Sequence, residues 1–204
     1  MGIITSLTAQ KNKRRVNVFI DNRFALGLEV ETVYKESIKV GMEISETELE
    51  NLQRESDYAS AYERAITLAS KKLYAEKELL NKLIEKGYAF ALSKDIVTKL
   101  KEYNFLSDDN YVEVFSRAKS LDSSRMIEKK LYEKGVAQIV IDKVKKENEK
   151  LDESKAKRVA EKYMKNKENT FENRQKLFRY LCGKGYDNYI IKQVIGDGNC
   201  ENWD

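Results

Sequence analysis

The stretch Leu79–Tyr88, LLNKLIEKGY, decides the fold because the chain repeats it twice. Close variants stand at residues 126–136, MIEKKLYEKGV, and at residues 176–186, KLFRYLCGKGY. Each copy carries apolar residues at a spacing of four, followed by a Lys-Gly step. This pattern is typical of an amphipathic helix that ends at a glycine in the left-handed conformation. Gly87, Gly135 and Gly185 therefore mark one structural unit that occurs three times.

The spacing of these glycines defines the length of the unit. They are 48 residues apart (135 minus 87) and 50 residues apart (185 minus 135), and apolar residues recur on both sides of them. The recurring positions, repeat by repeat, are Leu79, Leu83, Leu92 and Ile96; Ile127, Leu131, Val140 and Val144; and Leu177, Leu181, Ile190 and Val194. A period of this length holds three helices, and the additional helix of each unit precedes the quoted stretch. We predict a mainly α fold of three tandem three-helix repeats in an elongated, curved array, because one repeat alone has a marginal core.

The start of the chain follows a different pattern. Between Val16 and Leu28 apolar residues alternate with other residues on both sides of Asp21-Asn22-Arg23, which predicts a β-hairpin. The run IITSLTAQ at residues 3–10 is a candidate third strand. We therefore predict a small antiparallel sheet as an N-terminal module.

Helix signals follow the predicted sheet. We predict a short helix over Val30 to Ser37 and a loop at Gly41, and Ser45 and Glu48 form a capping box at the start of the next helix. The predicted domains are 1–56 for the N-terminal hairpin and short-helix module, 57–107, 108–150 and 151–196 for helical repeats 1 to 3, and 197–204 for a flexible tail.

The composition excludes several classes of protein. The 204 residues contain no His, which rules out histidine-based triads and His-ligated metal sites, and two Cys are too few for a four-thiolate zinc site. The basic cluster follows the apolar start, unlike in a secretory signal, and no apolar run reaches the roughly 18 residues that span a bilayer. We expect a soluble, cytoplasmic monomer with no metal or other cofactor and no catalytic residues. An enzyme that uses carboxylates or Lys alone is the alternative.

Basic residues cluster in the middle of the chain. From Arg117 to Lys146 nine basic residues stand against four acidic ones, and this local +5 exceeds the +4 of the whole chain. We predict a basic face that binds a partner or the DNA backbone, with a solvated helix surface as the alternative. The predicted face comprises Arg117, Lys119, Arg125, Lys129, Lys130, Lys71, Lys72, Lys82, Lys155 and Arg158. Lys86, Lys157 and Lys162 would extend it.

Other conspicuous residues have structural explanations. The Lys-Gly steps lack the Gly-rich turn and the following Ser or Thr of a phosphate loop. Capping by Ser107 or Asp108, with Asp109 in the first helical turn, explains the acidic pair without a metal. Cys182 is predicted to be a buried or half-buried thiol beside the apolar stripe, and Cys200 lies in the predicted tail. Packing, rather than stacking on bases, is predicted for Tyr88, Tyr111, Phe115, Tyr163 and Phe178.

Three segments, 65–88, 103–136 and 174–195, resemble in order and spacing the RecX family of bacterial recombination regulators, whose core is three tandem three-helix repeats. The most specific match is FLSDDNYVEVF at 105–115, and residues 16–52 resemble the N-terminal extension of some members. The resemblance implies that the chain binds the RecA recombinase filament on single-stranded DNA and lowers its ATPase and strand-exchange activity. It also implies a part in homologous recombination, DNA repair and the SOS response, with weak binding of single- or double-stranded DNA as a secondary property. The alternative is an autonomous DNA-binding protein that uses helix-turn-helix-like three-helix units.

Overall fold

The computed structural model describes residues 1–11 and 14–196, and within them the chain is mainly helical with a small antiparallel sheet at its start. This confirms the predicted fold class. The chain divides into two compact units. Unit 1 comprises Met1–Leu73 and Leu79–Leu106, and unit 2 comprises Tyr74–Glu78 and Ser107–Asp204. The predicted tail, with Cys200, lies outside the described residues.

The N-terminal sheet contains the predicted hairpin and third strand. Its strands are β1 (Gly2–Ala9), β2 (Arg15–Ile20), β3 (Arg23–Glu29) and β4 (Glu43–Ile44), in the antiparallel order β3-β2-β1-β4. Asp21 and Asn22 adopt φ values of +47° and +63° between β2 and β3. Two left-handed residues give a turn whose twist matches that of the flanking strands. The short strand β4 was not predicted.

The sheet packs on the first two helices, α1 (Val30–Lys35) and α2 (Glu46–Lys71). Their common core consists of Ile4, Val18, Leu26, Leu28, Ile38, Ile44 and Leu52. The predicted capping box opens α2, since Ser45 Oγ accepts from the Glu48 N–H at 3.2 Å and Glu48 Oε2 accepts from the Ser45 N–H at 2.8 Å. The helix has 26 residues, so the predicted boundary between residues 56 and 57 lies inside it.

Eight further helices follow within the described residues. They are α3 (Glu76–Glu85), α4 (Phe90–Glu102), α5 (Asp108–Ala118), α6 (Ser124–Glu133), α7 (Gln138–Lys150), α8 (Asp152–Met164), α9 (Phe171–Gly183) and α10 (Asn188–Ile195). In unit 2, α7 packs on α5 and α6, while α8, α9 and α10 pack on one another. Each of these two sets of three helices encloses its own apolar core.

The three glycines end their helices as predicted. Gly87, Gly135 and Gly185 have φ values of +93°, +84° and +84°. In the second copy the Gly135 N–H donates to the Tyr132 carbonyl at 2.8 Å, and the Val136 N–H donates to the Leu131 carbonyl at 3.2 Å. The other two copies form the same pair of bonds. These bonds satisfy carbonyls that the end of a helix leaves without partners.

The predicted apolar register holds before each glycine and at Ile96 after the first one, and it shifts after the second and third glycines. The predicted positions on α3, α6 and α9 are all buried. After the glycine, however, Val140 and Ile190 are only half-buried, and the following residues, Ile141 and Ile191, are 1% and 0% exposed. The start of α7 and of α10 is thus rotated by about one residue relative to the prediction, roughly 100° around the helix.

Candidate partner-binding surface

Helix α6 provides the centre of the predicted basic face. Ser123 caps the helix, since its Oγ accepts from the Met126 N–H at 3.1 Å. Ile127 and Leu131 are buried, so Arg125 and Lys129 project into solvent. Neither cation has a hydrogen bond or an ion pair with any other described residue. Their charges are therefore available to a partner.

Lys130 is already occupied within the protein. Its Nζ lies 2.6 Å from Asp122 Oδ2, and Lys184 Nζ lies 2.9 Å from the other oxygen of the same carboxylate. Asp122 is only 3% exposed. Burial raises the pKa of Asp122, but the hydrogen bonds from the two ammonium groups outweigh burial and hold that pKa below its usual value. The charge of Lys130 thus stabilises a buried acid.

Lys155 does not belong to a basic face, which corrects the prediction. The residue is 7% exposed, and its Nζ lies 3.1 Å from Asn148 Oδ1 and 3.8 Å from Asp152 Oδ1. Burial lowers the pKa of Lys155, and the carboxylate of Asp152 opposes that shift. A buried ammonium among these partners serves the packing of α8 and is closed to a ligand.

The other predicted cations of unit 2 lie on α5 and α8. Arg117 forms an ion pair with Glu113, one turn earlier on α5, and both side chains are exposed. Lys119 caps the carboxyl end of α5, and Arg158 lies on the exposed side of α8. Exposed pairs within one helix contribute little stability, so Arg117 can exchange its partner for another anion.

Unit 1 holds the remaining predicted cations. Lys71 ends α2 and Lys72 is its C-cap residue, and both are exposed. Lys82 is half-buried on α3, with its Nζ 2.6 Å from Glu85 Oε2. All three cations lie in or just after the last turn of a helix, where Lys interacts favourably with the helix dipole.

Two aspartates have a function that the sequence analysis missed. Asp108 Oδ1 accepts from the Glu76 N–H at 2.8 Å, at the start of α3. Asp152 accepts from the Ser124 N–H at 2.9 Å and from Ser124 Oγ at 2.6 Å, at the start of α6. Each aspartate thus caps a helix that precedes its own. Ser107, as predicted, caps α5, accepting from the Asn110 N–H at 3.3 Å.

The Lys of two Lys-Gly steps also reaches a carboxylate earlier in the chain. Lys134 Nζ lies 2.9 Å from Glu78 Oε1, and Lys184 Nζ binds Asp122 as described. The Ser123 N–H donates to the Lys184 carbonyl at 3.1 Å. Each of these steps therefore ends its own helix and neutralises a carboxylate at or before the start of another one.

Cys182 and the aromatic residues give contrasting results. Cys182 is exposed, which corrects the prediction of a buried or half-buried thiol, because α9 turns it away from the stripe of Leu177 and Leu181. The predicted packing of the aromatic residues is confirmed for the cores of unit 2, which contain Tyr111, Phe115, Tyr163 and Phe178. Tyr88 is half-buried in unit 1, with its hydroxyl 3.1 Å from Ser60 Oγ.

Metal ligation and membrane insertion both bear on the class of site. No group of three or more His, Cys, Asp or Glu side chains in these residues is arranged to hold a metal ion. No helix among them combines the length and the apolar composition needed to cross a bilayer.

Sequence reasoning also missed a group of cations in unit 1. Arg14, Arg15 and Arg64 line one cleft together with Lys86. The adjacent pair Arg14-Arg15 was visible as a basic run, but its proximity to Arg64 depends on the packing of the sheet on α2. No periodic pattern in the sequence indicates that contact.

Comparisons with known proteins agree on one family. The family model described as "Regulatory protein RecX N-terminal domain" matches residues 2–45, and "RecX, third three-helix domain" matches residues 151–195. "Regulatory protein RecX" of Clostridium beijerinckii is 37% identical, over 96% of this chain and 95% of the relative. The protein of the same name from Clostridium botulinum (strain Eklund 17B / Type B) is 37% identical over 100% of both chains.

Two solved structures share the fold. "Crystal structure of regulatory protein RecX" superimposes with a TM-score of 0.64 at 22% identity, over 95% of this chain and 98% of the other. "Crystal structure of RecX from Lactobacillus salivarius" gives a TM-score of 0.58 at 23% identity, over 68% of this chain and 94% of the other.

Proposed function

Because the chain belongs to the RecX family of regulatory proteins, we propose that it regulates the RecA recombinase. In this proposal a cytoplasmic monomer binds the RecA filament on single-stranded DNA and lowers its ATPase and strand-exchange activity. The protein acts by binding and performs no chemical step itself. The observation that carries the proposal is the identity of 37% to regulatory proteins over almost the whole chain.

The basic face supplies a physical basis for this binding. A nucleoprotein filament is a polyanion, and exposed cations that contact phosphates release bound counterions. Arg125 and Lys129 suit this function because they are exposed and have no partner among the described residues. Lys119 and Arg158 are exposed cations that would add to the face. Lys130 and Lys155 are left out, since internal carboxylates already engage them.

The test is the single-stranded-DNA-dependent ATPase of the cognate RecA, titrated with the protein at two salt concentrations. We expect the wild type to lower ATP turnover, and R125E/K129E to lower it less. The matched control is K176E/K192E, which changes the charge equally at two exposed lysines of unit 2 outside the predicted face. Unchanged turnover, combined with tight binding of bare DNA, would replace this proposal with the autonomous DNA-binding alternative.

A further inference from the structure

A groove of about 310 Å³ lies in unit 1, between the segment that joins α1 to β4 and the first turns of α2. Its lining is largely apolar. Ile38, Ile44 and Leu52 belong to the core under the sheet and are buried, whereas Met42 is 39% exposed. Methionine is flexible and polarisable, so it adapts to the shape of a partner. A volume at the lower end for binding sites suits one or two aliphatic side chains better than a cofactor.

Backbone hydrogen bonds hold the loop of the groove in place. The Gly41 N–H donates to the Ile4 carbonyl at 2.8 Å, and the Ile4 N–H donates to the Met42 carbonyl at 2.9 Å. The Ile38 N–H donates to the Val33 carbonyl at 3.0 Å. The groove is therefore formed before a partner arrives, and binding there costs little ordering of the protein.

Carboxylates surround this apolar lining. Glu36, Glu48 and Glu55 all line the groove. Lys35 is shared by two of them, since its Nζ lies 3.3 Å from Glu36 Oε1 and 3.2 Å from Glu55 Oε2. Hydrogen bonds from the backbone and the hydroxyl of Ser45 lower the pKa of Glu48, so this group is charged at neutral pH. Three carboxylates against one ammonium leave a formal charge of −2.

The sequence around the groove carries the same sign of charge. From Glu29 to Glu55 eight Glu stand against three basic residues, which gives −5 in a chain whose total is +4. A surface of this charge repels a phosphate backbone and attracts a basic segment. The groove therefore favours a ligand opposite in charge to the one that the basic face attracts.

The acidic residues of α2 define a spacing for the charges of the ligand. Glu48 and Glu55 are seven residues apart (55 minus 48), which is two turns along one face of α2, with Leu52 between them. At about 1.5 Å per residue the two positions are about 10 Å apart along the axis. A second helix that lies along this face has its residues i and i+7 at the same separation, with residue i+4 between them.

We propose that this groove binds an amphipathic helix of a partner protein that carries Lys or Arg at positions i and i+7 and an aliphatic residue at position i+4. The aliphatic side chain enters the apolar lining, and the two cations pair with Glu48 and Glu55. Glu48 already accepts from Ser45 through Oε2, and a carboxylate has room for further bonds. Anchors at this spacing are typical of a helix bound in a groove. The inference goes beyond the proposed function, because it involves neither the basic face nor nucleic acid.

The test is an NMR titration of the isotope-labelled full chain with an alanine-based helical peptide of about 20 residues. The peptide has Lys at two positions seven apart and Leu four residues after the first Lys. We expect its binding to shift the amide signals of residues 36–55. Replacing its Leu by Ala should weaken binding at least about tenfold, because that side chain supplies the apolar contact. A peptide of the same composition, with the Leu moved to position i+2 on the opposite side of the helix, should bind no better than the Ala peptide.

Variants of the protein test the groove itself. E48Q/E55Q removes both proposed partners of the cations, and Gln in place of Glu48 preserves the capping box of α2. It should weaken binding of the peptide about fivefold at low salt. M42D, which places a charge beside the apolar lining, should weaken it about tenfold. The matched control is E46Q/E50Q, which removes the same charge from exposed positions of α2 outside the groove and should stay within about twofold of the wild type.

Three results would overturn the inference. One is an affinity of E48Q/E55Q and M42D equal to that of E46Q/E50Q. Another is equal binding of a peptide that carries Glu in place of both Lys, since the acidic rim would then have no influence. The third is self-association of the protein in sedimentation that M42D abolishes, which would assign the groove to a second copy of the chain. Circular dichroism of all three variants should match the wild type, so that a loss of binding reports on the groove.

Discussion

Replacing Asp152 by Asn should destabilise unit 2, although it only exchanges one side-chain oxygen for an amide NH₂ group. The carboxylate is 7% exposed and accepts from both the N–H and the hydroxyl of Ser124 at the start of α6. It is also the acidic group near the buried Nζ of Lys155, at 3.8 Å. D152N keeps the shape of the side chain but removes its charge and turns one acceptor into a donor.

The expected loss is about 3 kcal/mol in the free energy of unfolding. A hydrogen bond to a charged acceptor contributes about 1.5 to 3 kcal/mol, and a buried pair that loses one partner costs about 3 to 5 kcal/mol. The long separation of the charges and the hydrogen bond from Lys155 to Asn148 place the total loss at the lower end of the second range, about 3 kcal/mol.

The assay is urea unfolding followed by circular dichroism. With a slope of about 2 kcal/mol per molar urea, the midpoint should fall by about 1.5 M. The matched control is E153Q at the next residue, whose carboxylate is exposed and pairs with exposed Lys157 at 2.6 Å. Its loss should stay below about 0.5 kcal/mol. D152N/K155M should regain at least half of the D152N loss, because no uncompensated charge stays buried.

The pH dependence gives a second readout with a fixed sign. Burial lowers the pKa of Lys155, so the folded state binds fewer protons than the unfolded state in the alkaline range. Without the opposing carboxylate of Asp152 this difference grows. The D152N deficit should therefore shrink as pH rises from neutral toward about 10. A D152N protein within about 0.5 kcal/mol of the wild type, or a double variant no more stable than D152N, would refute this explanation.

Three further predictions concern single positions. G135A should cost clearly more stability than G87A in urea unfolding. Both φ values are positive and cost about 1 to 2 kcal/mol each, but a Cβ on Gly135 would lie 2.3 Å from the Lys77 side chain whereas one on Gly87 meets nothing within 4 Å. D122N should flatten the acid limb of the stability curve, because a depressed folded pKa gives stability that is present above about pH 4 and lost as pH falls further. S45A should lower stability by about 1 kcal/mol through loss of the α2 cap, as thermal unfolding would show.

Features encoded by neighbouring residues could be predicted from the sequence. The hairpin is specified by two alternating runs around Asp21 and Asn22, and the helix ends by a Lys-Gly step at a fixed distance from buried leucines. These signals are local because backbone conformation and one helical face follow from spacing alone. Strand β4 escaped prediction because its two residues become a strand only by pairing with Gly2 and Ile3, about 40 residues away.

The errors at individual side chains come from the orientation and the contacts of each side chain, which spacing along the sequence does not determine. Lys155 looked like a surface cation because a charged residue on an amphipathic helix is usually solvated, and its burial depends on polar partners contributed by two helices. Cys182 was predicted to be buried or half-buried because it is close to Leu181 in the sequence, but one residue corresponds to about 100° around a helix. The cleft that contains Arg64 combines four separate segments, so no window of sequence displays it.

A Lys-Gly step can serve two purposes at once, and the second and third copies do so. In the second and third copies the glycine fits closely against an earlier helix, where a Cβ would approach Lys77 or Ser123, and the preceding Lys neutralises a carboxylate there. Around Gly87 the same sequence meets open space, and Lys86 pairs with no carboxylate among residues 1–11 and 14–196. A motif that packs repeats together therefore leaves, in its first copy, an unpaired cation on the surface.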